Sequence, residues 1–367
     1  MTDGASLTEA CRALAAPGKF GFDTEFIRER SYEPQLCLIQ AATAERVVLI
    51  DPLAVDPGPF WELVLDGSVE KIVHAGEQDL ELCYRHTRRP PRNVFDVQTA
   101  GDLAGVGRSL SYGNLVALVL GVETDQGGAF SEWSRRPLTD DQLRYAVEDV
   151  AHLADLETAL RRRLAASGRE AWMREEMLPL ERRERYDPRQ IDIARRMRSW
   201  VRLGRRPLGI LCELIAWREA AARSEDVPPR TMLADGVLMA VVRALPGNVA
   251  ELAAVRGFPR PLARRRGEAV LKALRRGREL PESALPAAAA RETDRRLVTW
   301  AMDAGREICR AAGIEHEAFA SRRNYIDLVD ALRARRKDLT DLRLLTGWRR
   351  DFAGEKLREL IADRLGV

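Results

Sequence analysis

Cysteine is scarce and unpaired in this sequence: Cys11, Cys37, Cys83, Cys212 and Cys309 lie scattered along 367 residues, with no Cys-x-x-Cys spacing. Five isolated thiols exclude a disulfide framework and a thiolate zinc site as organising features. Long apolar runs are missing too. None approaches the roughly 18 residues needed to span a bilayer, and the opening MTDGASLTEACRALAA lacks the basic start and apolar core of a signal peptide. A soluble, cytoplasmic protein with reduced, mostly buried thiols is expected. Net charge is small, +3 from 59 Lys+Arg and 56 Asp+Glu, but it hides an asymmetry: the first 160 residues carry 14 basic and 26 acidic side chains, the remainder 45 and 30. This suggests a carboxylate-using module joined to one that binds a polyanion, although Arg-rich helices give a similar count without that role.

The length exceeds the usual single-domain size, so two or three domains are expected. β-Branched and aromatic residues cluster at 19–26, 36–41 and 46–51 between polar or Pro-containing turns, which predicts a meander of three strands. A helix around 59–65, a strand at 71–74, a helix over 77–84, an apolar run at 94–96 and helices to about 163 complete a mixed α/β domain. Beyond it, the Arg/Glu-rich stretch 160–185 predicts a solvated helical arm that ends before Pro188. No strand signal returns. Gly and Pro punctuation and the break at 280–290 divide the rest into two small helical modules. The expected domains are therefore 1–165, a linking arm 166–205, and helical modules 206–280 and 289–367.

Carboxylates at defined spacings carry the chemistry. In the strand Phe-Gly-Phe-Asp23-Thr-Glu25-Phe26, Asp23 and Glu25 are two apart and share a face, while Phe22, Thr24 and Phe26 share the other. Two acids on one face repel, and a hard divalent cation, Mg²⁺ or Mn²⁺, relieves this; a solvated strand face is the alternative. Asp79 falls in the first turn of a helix, where it also suits the helix dipole. His74, at a strand end with no second His or Cys at ligand spacing, reads as a structural hydrogen-bonding residue, with a substrate contact as the alternative. Tyr145 and Asp149 are four apart on a helix and lie one above the other, beside the apolar stripe Leu143, Ala146, Val147, Val150, Leu153 and Ala154.

The order Asp-x-Glu on a strand, Asp on a middle helix and Tyr-x-x-x-Asp on a late helix resembles the tyrosine-containing branch of the DEDD exonuclease superfamily. The stretch Asp23–Gln40 and Glu132-Trp133-Ser-Arg135-Arg136-Pro-Leu resemble the ribonuclease D family in particular. Segments 213–219, 252–257 and 344–350 resemble the paired helical HRDC modules that follow the nuclease in that family. The resemblance implies an α/β ribonuclease H-like 3′→5′ exonuclease domain with a mixed sheet, followed by two all-α HRDC-like domains.

It also implies roles. Asp23 would bridge two divalent ions, Mg²⁺ or Mn²⁺. Glu25 and Asp149 would complete the site that activates the attacking water, Asp79 would help hold the second ion, and Tyr145 would orient the water. Phosphodiester hydrolysis needs charge neutralisation, an in-line nucleophile and a stabilised leaving oxygen, which two ions about 3.5–4 Å apart supply. A tyrosine of ordinary pKa near 10 is a poor base at neutral pH, so positioning is its expected part. Arg135 and Arg136 are candidates for phosphate contact, and Phe26 and Trp133 for stacking on an unpaired terminal base, Trp133 serving equally as a core aromatic under a loop. Trp217, Trp300 and Trp348 read as hydrophobic anchors. The expected partner is RNA with a single-stranded 3′ end, such as tRNA precursors and other small structured RNAs, acted on by a monomer. A DNA exonuclease of the same superfamily and a non-catalytic RNA-binding protein are the alternatives, because the acids do not read the 2′-hydroxyl.

Overall fold

The computed structural model describes residues 1–124, 132–197, 200–287 and 294–366. They form two compact units: Met1–Phe26, Leu36–Tyr186 and Thr293–Val367 make the first, Ile27–Gln35 and Asp187–Glu292 the second. Among the described residues no helix is long and apolar enough to cross a membrane.

The first unit begins with α1 (Gly4–Ala15), started by the Asp3 side chain accepting from Ser6 N–H. Then come β1 (Lys19–Ile27), β2 (Gln35–Ala42), β3 (Val47–Ile50), α2 (Gly58–Leu65), β4 (Glu70–Val73), α3 (Glu77–Thr87) and β5 (Val94–Asp96). Helices α4 (Val97–Ala104), α5 (Tyr112–Leu120), α6 (Asp140–Ala151), α7 (Leu153–Ala166) and α8 (Glu170–Met177) follow. The strand order is β3-β2-β1-β4-β5, with β1, β4 and β5 parallel and β2 antiparallel to β3. This is the expected mixed sheet.

Alternation along the strands sends side chains into two cores. Phe20, Phe22, Ile39, Val48, Ile50 and Val73 pack with α1, α2 and α3. Ile72 and Phe95 pack on the opposite face with α4, α5 and α7. Gly21 lies on that second face, where a Cβ would come within 2.6 Å of Leu153 Cβ at the start of α7. Glycine is thus what lets α7, and α6 just before it, approach β1.

The stretch read as a solvated arm is docked along its first part. Leu160, Leu164, Met173 and Met177 are buried in the core beneath α4, because apolar residues recur on one face among the charges. Arg169, 9% exposed, donates to the Leu103, Ala312 and Gly313 carbonyls. Glu176 is gripped by Arg349, Arg343 and the Trp348 indole N–H. Trp348 stacks on Trp172 with ring centroids 4.4 Å apart. The C-terminal helices Arg295–Ala312, Arg322–Arg333 and Glu355–Leu365 share one continuous core with the sheet: Leu297, Tyr325 and Leu357 belong to the same cluster as Phe95 and Leu156. The expected start of that module, residue 289, lies outside the described residues.

The second unit is helical. Its long helices Arg205–Ser224 and Arg260–Glu279 cross closely at Gly277, where a Cβ would come within 2.5 Å of Ile210 Cα. Leu211, Leu214, Trp217, Leu238, Leu252, Val270 and Leu274 fill its core. Trp217 and Trp348, at 9% and 5% exposure, are anchors as read. Trp300 is half-buried, with Arg364 4.5 Å from its ring centroid.

Gly21→Ala should lower unfolding free energy by roughly 1–3 kcal/mol, the usual cost of an overpacked core, and should slow catalysis by shifting α6. Urea melts and turnover of the purified variant check this; unchanged stability would mean that the α7 approach is not tight.

Candidate active site

The carboxylates gather about the central strand β1 and come from both layers. Asp23 and Glu25 project from β1 onto the face covered by α6 and α7, and Asp149 comes from α6. One oxygen or more from each of the three lies within 4.8 Å of the others. Asp79 arrives from α3 on the opposite face, buried to 6% exposure, and accepts a hydrogen bond from the Thr24 hydroxyl. Thr24 sits on the strand face opposite Asp23 and Glu25, so β1 addresses both layers.

Local chemistry aims each acid. Thr139 and Gln142 form a reciprocal capping box that fixes where α6 begins, placing Tyr145 and Asp149 one turn apart. The phenol lies beside the Asp149 carboxylate and lowers its proton affinity. The turn before α3 holds Ala75 at φ 51°, in the left-handed region. Asp96 stabilises that turn by accepting from the Ala75 and Gly76 N–H groups at 3.1 and 3.2 Å, and it caps α4 through Gln98 and Thr99. Gln40, on the neighbouring strand β2, donates from Nε2 to Asp23 Oδ2 at 3.1 Å. Thr24, Gln40 and Asp96 were not singled out from the sequence. Their signal is a polar residue inside an apolar strand, which shows that a partner exists but not which.

Crowding and burial raise the proton affinity of all four acids. Burial, then the charges of Asp79, Glu25 and Asp149, push Asp23 well above the usual carboxylate range. Burial followed by Asp149 and Asp79 lifts Glu25 to about 8. Burial lifts Asp149 to about 6 against the Tyr145 hydrogen bond, and Asp79 to about 6 against that of Thr24. Tyr145 is pushed up by burial and by the charges of Asp149 and Glu25, so its phenol stays protonated at neutral pH. A set of oxygen donors whose ionised forms repel one another fits divalent cations such as Mg²⁺ or Mn²⁺.

The candidates for substrate contact fare differently. His74 Nε2 bonds to the Leu110 carbonyl at 2.9 Å, the structural reading of this residue, and burial lowers its pKa. Arg136 grips Asp51 with both arms at 2.5 and 2.6 Å and donates to the Cys37 and Trp133 carbonyls. Its guanidinium is therefore committed to the fold, which corrects its reading as a phosphate contact. Arg135 is 79% exposed beside Glu132, at 3.4 Å. Trp133 is 3% exposed, its ring centroid 6.1 Å from that of Tyr145; with no open face for a base, it fits the core alternative. Phe26 is half-buried against the α1–α3 core.

Comparisons with known proteins show the family to which this fold belongs. The sequence model of the 3′-5′ exonuclease family matches residues 1–165, and that of the HRDC domain matches 208–274. The chain is 34% identical over 359 residues to ribonuclease D of Granulibacter bethesdensis, covering 97% of this chain and 90% of the relative. It is 35% identical to ribonuclease D of Nitrobacter hamburgensis, covering 97% and 93%. The crystal structure of Escherichia coli RNase D, an exoribonuclease involved in structured RNA processing, superposes with a TM-score of 0.85 at 29% identity, covering 99% and 98% of the two chains.

The raised proton affinities have a sign. Folding holds protons on Asp79, Asp149, Glu25 and Asp23 that the unfolded chain releases near pH 4. In chelator, their contribution to stability should therefore fall as pH rises from about 4 through about 8, and Mg²⁺ should offset the fall. Melting temperatures at pH 5 and pH 8, with EDTA or Mg²⁺, test this against Asp23→Asn, whose profile should be flatter. Identical wild-type and variant profiles would contradict the crowding described.

Proposed function

Since the chain belongs to the ribonuclease D family, and is thus a 3′→5′ exoribonuclease, we propose that its hydrolysis of RNA is carried by Asp23, Glu25, Asp79 and Asp149 holding two divalent ions, with Tyr145 orienting the attacking water. The observation that carries this reading is the convergence of three carboxylates within 4.8 Å, on a chain whose family works with divalent metal. When bound, such ions neutralise phosphoryl charge and lower the pKa of the attacking water.

The protein's own part is positioning. Asp23 and Glu25 share one strand face, so their separation is set by backbone rise rather than by flexible loops. Asp149 is held by the capped α6, and Asp79 by Thr24 and the Asp96-stabilised turn. Tyr145 stays protonated and serves as a hydrogen-bond donor and orienter, not as the base. Arg260, Arg264, Lys272 and Arg275 are exposed on the helix Arg260–Glu279, and no ion pair forms on them among the described residues. We assign them to salt-dependent contacts with RNA phosphates. The helices of residues 294–366 are assigned as a second HRDC-like module. Transfer RNA precursors and other small structured RNAs are the proposed substrates, processed by a monomer in the cytoplasm.

A 5′-labelled single-stranded RNA and its matched DNA, followed in time with Mg²⁺, Mn²⁺ or chelator, test the reading. The expected result is a ladder shortening from the 3′ end, faster on RNA and abolished by chelator. Preferential DNA cleavage would reassign the substrate, and absence of turnover with either ion would leave an RNA-binding scaffold. Asp23→Asn and Asp149→Asn should abolish hydrolysis without unfolding the chain, whereas Tyr145→Phe, which keeps the ring, should be milder. Near-normal turnover by either Asn variant would remove the metal assignment.

A further inference from the structure

Gln40 stands out in β2. Leu38, Ile39, Ala41 and Ala42 around it are buried and apolar, and Gln40 itself is 0% exposed. Burying a primary amide is costly unless its hydrogen bonds are made. Yet no partner meets its Oε1 among the described residues. Its Nε2 donates to an acid of the site, Asp23 Oδ2 at 3.1 Å, and the amide also lowers the proton affinity of Glu25 beside it. Chemistry fixes the amide's orientation, because the reversed amide would aim an oxygen at the Asp23 carboxylate.

We propose that Gln40 is a positioning residue that orients Asp23, beside Glu25, for divalent-ion binding. A neutral donor suits this place. Lysine or arginine would compete with the cations for the carboxylates, and a further acid would add to the repulsion. An amide instead ties down one lone pair on Asp23 and leaves the remaining carboxylate oxygens for metal. Groups that hold ligands in this way typically cost 10–100-fold in metal affinity or activity when removed.

The proposal rests on the metal-site reading, and one experiment separates the two. Calorimetric titration with Mn²⁺, without RNA, is run on wild type, Gln40→Met, Asp23→Asn and the double variant, with a melt of each in chelator. Methionine keeps the side chain's length and removes the donor; should it fail to fold, Gln40→Asn retains an amide but withdraws it by about one methylene, and takes its place. The expected outcome is Mn²⁺ binding at least about tenfold weaker in Gln40→Met, with chelator melting close to wild type. The Asp23→Asn background should shrink the effect of Gln40→Met. Wild-type Mn²⁺ affinity in Gln40→Met would overturn the positioning role while leaving the metal site intact. Loss of chelator stability with unchanged Mn²⁺ affinity would do the same, by making Gln40 a structural residue. A wild type that binds no Mn²⁺ would instead sink the metal-site reading and this proposal with it.

Discussion

Four carboxylates gathered about the central strand of one sheet are the constraint around which the first unit is arranged. A single strand or helix cannot bring so many acids to one point. Two come from β1 and one from the helical layer on each face. The Thr24 hydroxyl donates to Asp79, Gln40 Nε2 donates to Asp23, and the Tyr145 phenol lies beside Asp149. The raised proton affinities record what this arrangement costs the metal-free protein. Pre-organisation of this kind is characteristic of sites built for charge that arrives later.

The scaffold answers that constraint with close approaches. Gly21 removes the side chain that would separate α7 from β1. Asp96 uses both carboxylate oxygens to hold a turn with Ala75 in the left-handed region, from which α3 departs carrying Asp79. Neither residue belongs to the acid cluster, yet each sets the direction of an element that does. The charge asymmetry has a matching logic. An acidic catalytic half repels RNA except at its ions, so attraction over the rest of the polymer falls to arginines and lysines elsewhere.

Much of this was legible in the residues. Strand alternation placed Asp23 and Glu25 on one face, the i,i+4 spacing placed Tyr145 over Asp149, and turn chemistry marked the strands to within a residue or two. Tertiary partners were not legible. Arg136 and a free phosphate-binding arginine look alike in sequence, because Asp51 lies 85 residues away. Trp133 read equally well as a platform and as a core residue until its burial decided. The stretch after residue 160 was misread because its charge outweighed the apolar spacing of Leu160, Leu164, Met173 and Met177. Helix α1 was not read at all, although Asp3 at its N-cap and Leu7, Ala10 and Leu14 at helical spacing were present. In each case local pattern gave the element, and only the fold gave its neighbours.

The shared core of the sheet and the C-terminal helices has a consequence for how the protein is made. Leu297, Tyr325 and Leu357 complete a cluster begun by Ile72, Phe95 and Leu156, so the core on the catalytic face is closed only when the helices beyond residue 294 pack onto it. Residues 187–292, which lie between them in sequence, belong with Ile27–Gln35 to the second unit. A chain stopped short would thus carry every catalytic acid, yet lack the apolar backing that holds α4 and α7 against the sheet. Packing of these distant helices, rather than the acids alone, is what gives the catalytic layer its apolar backing.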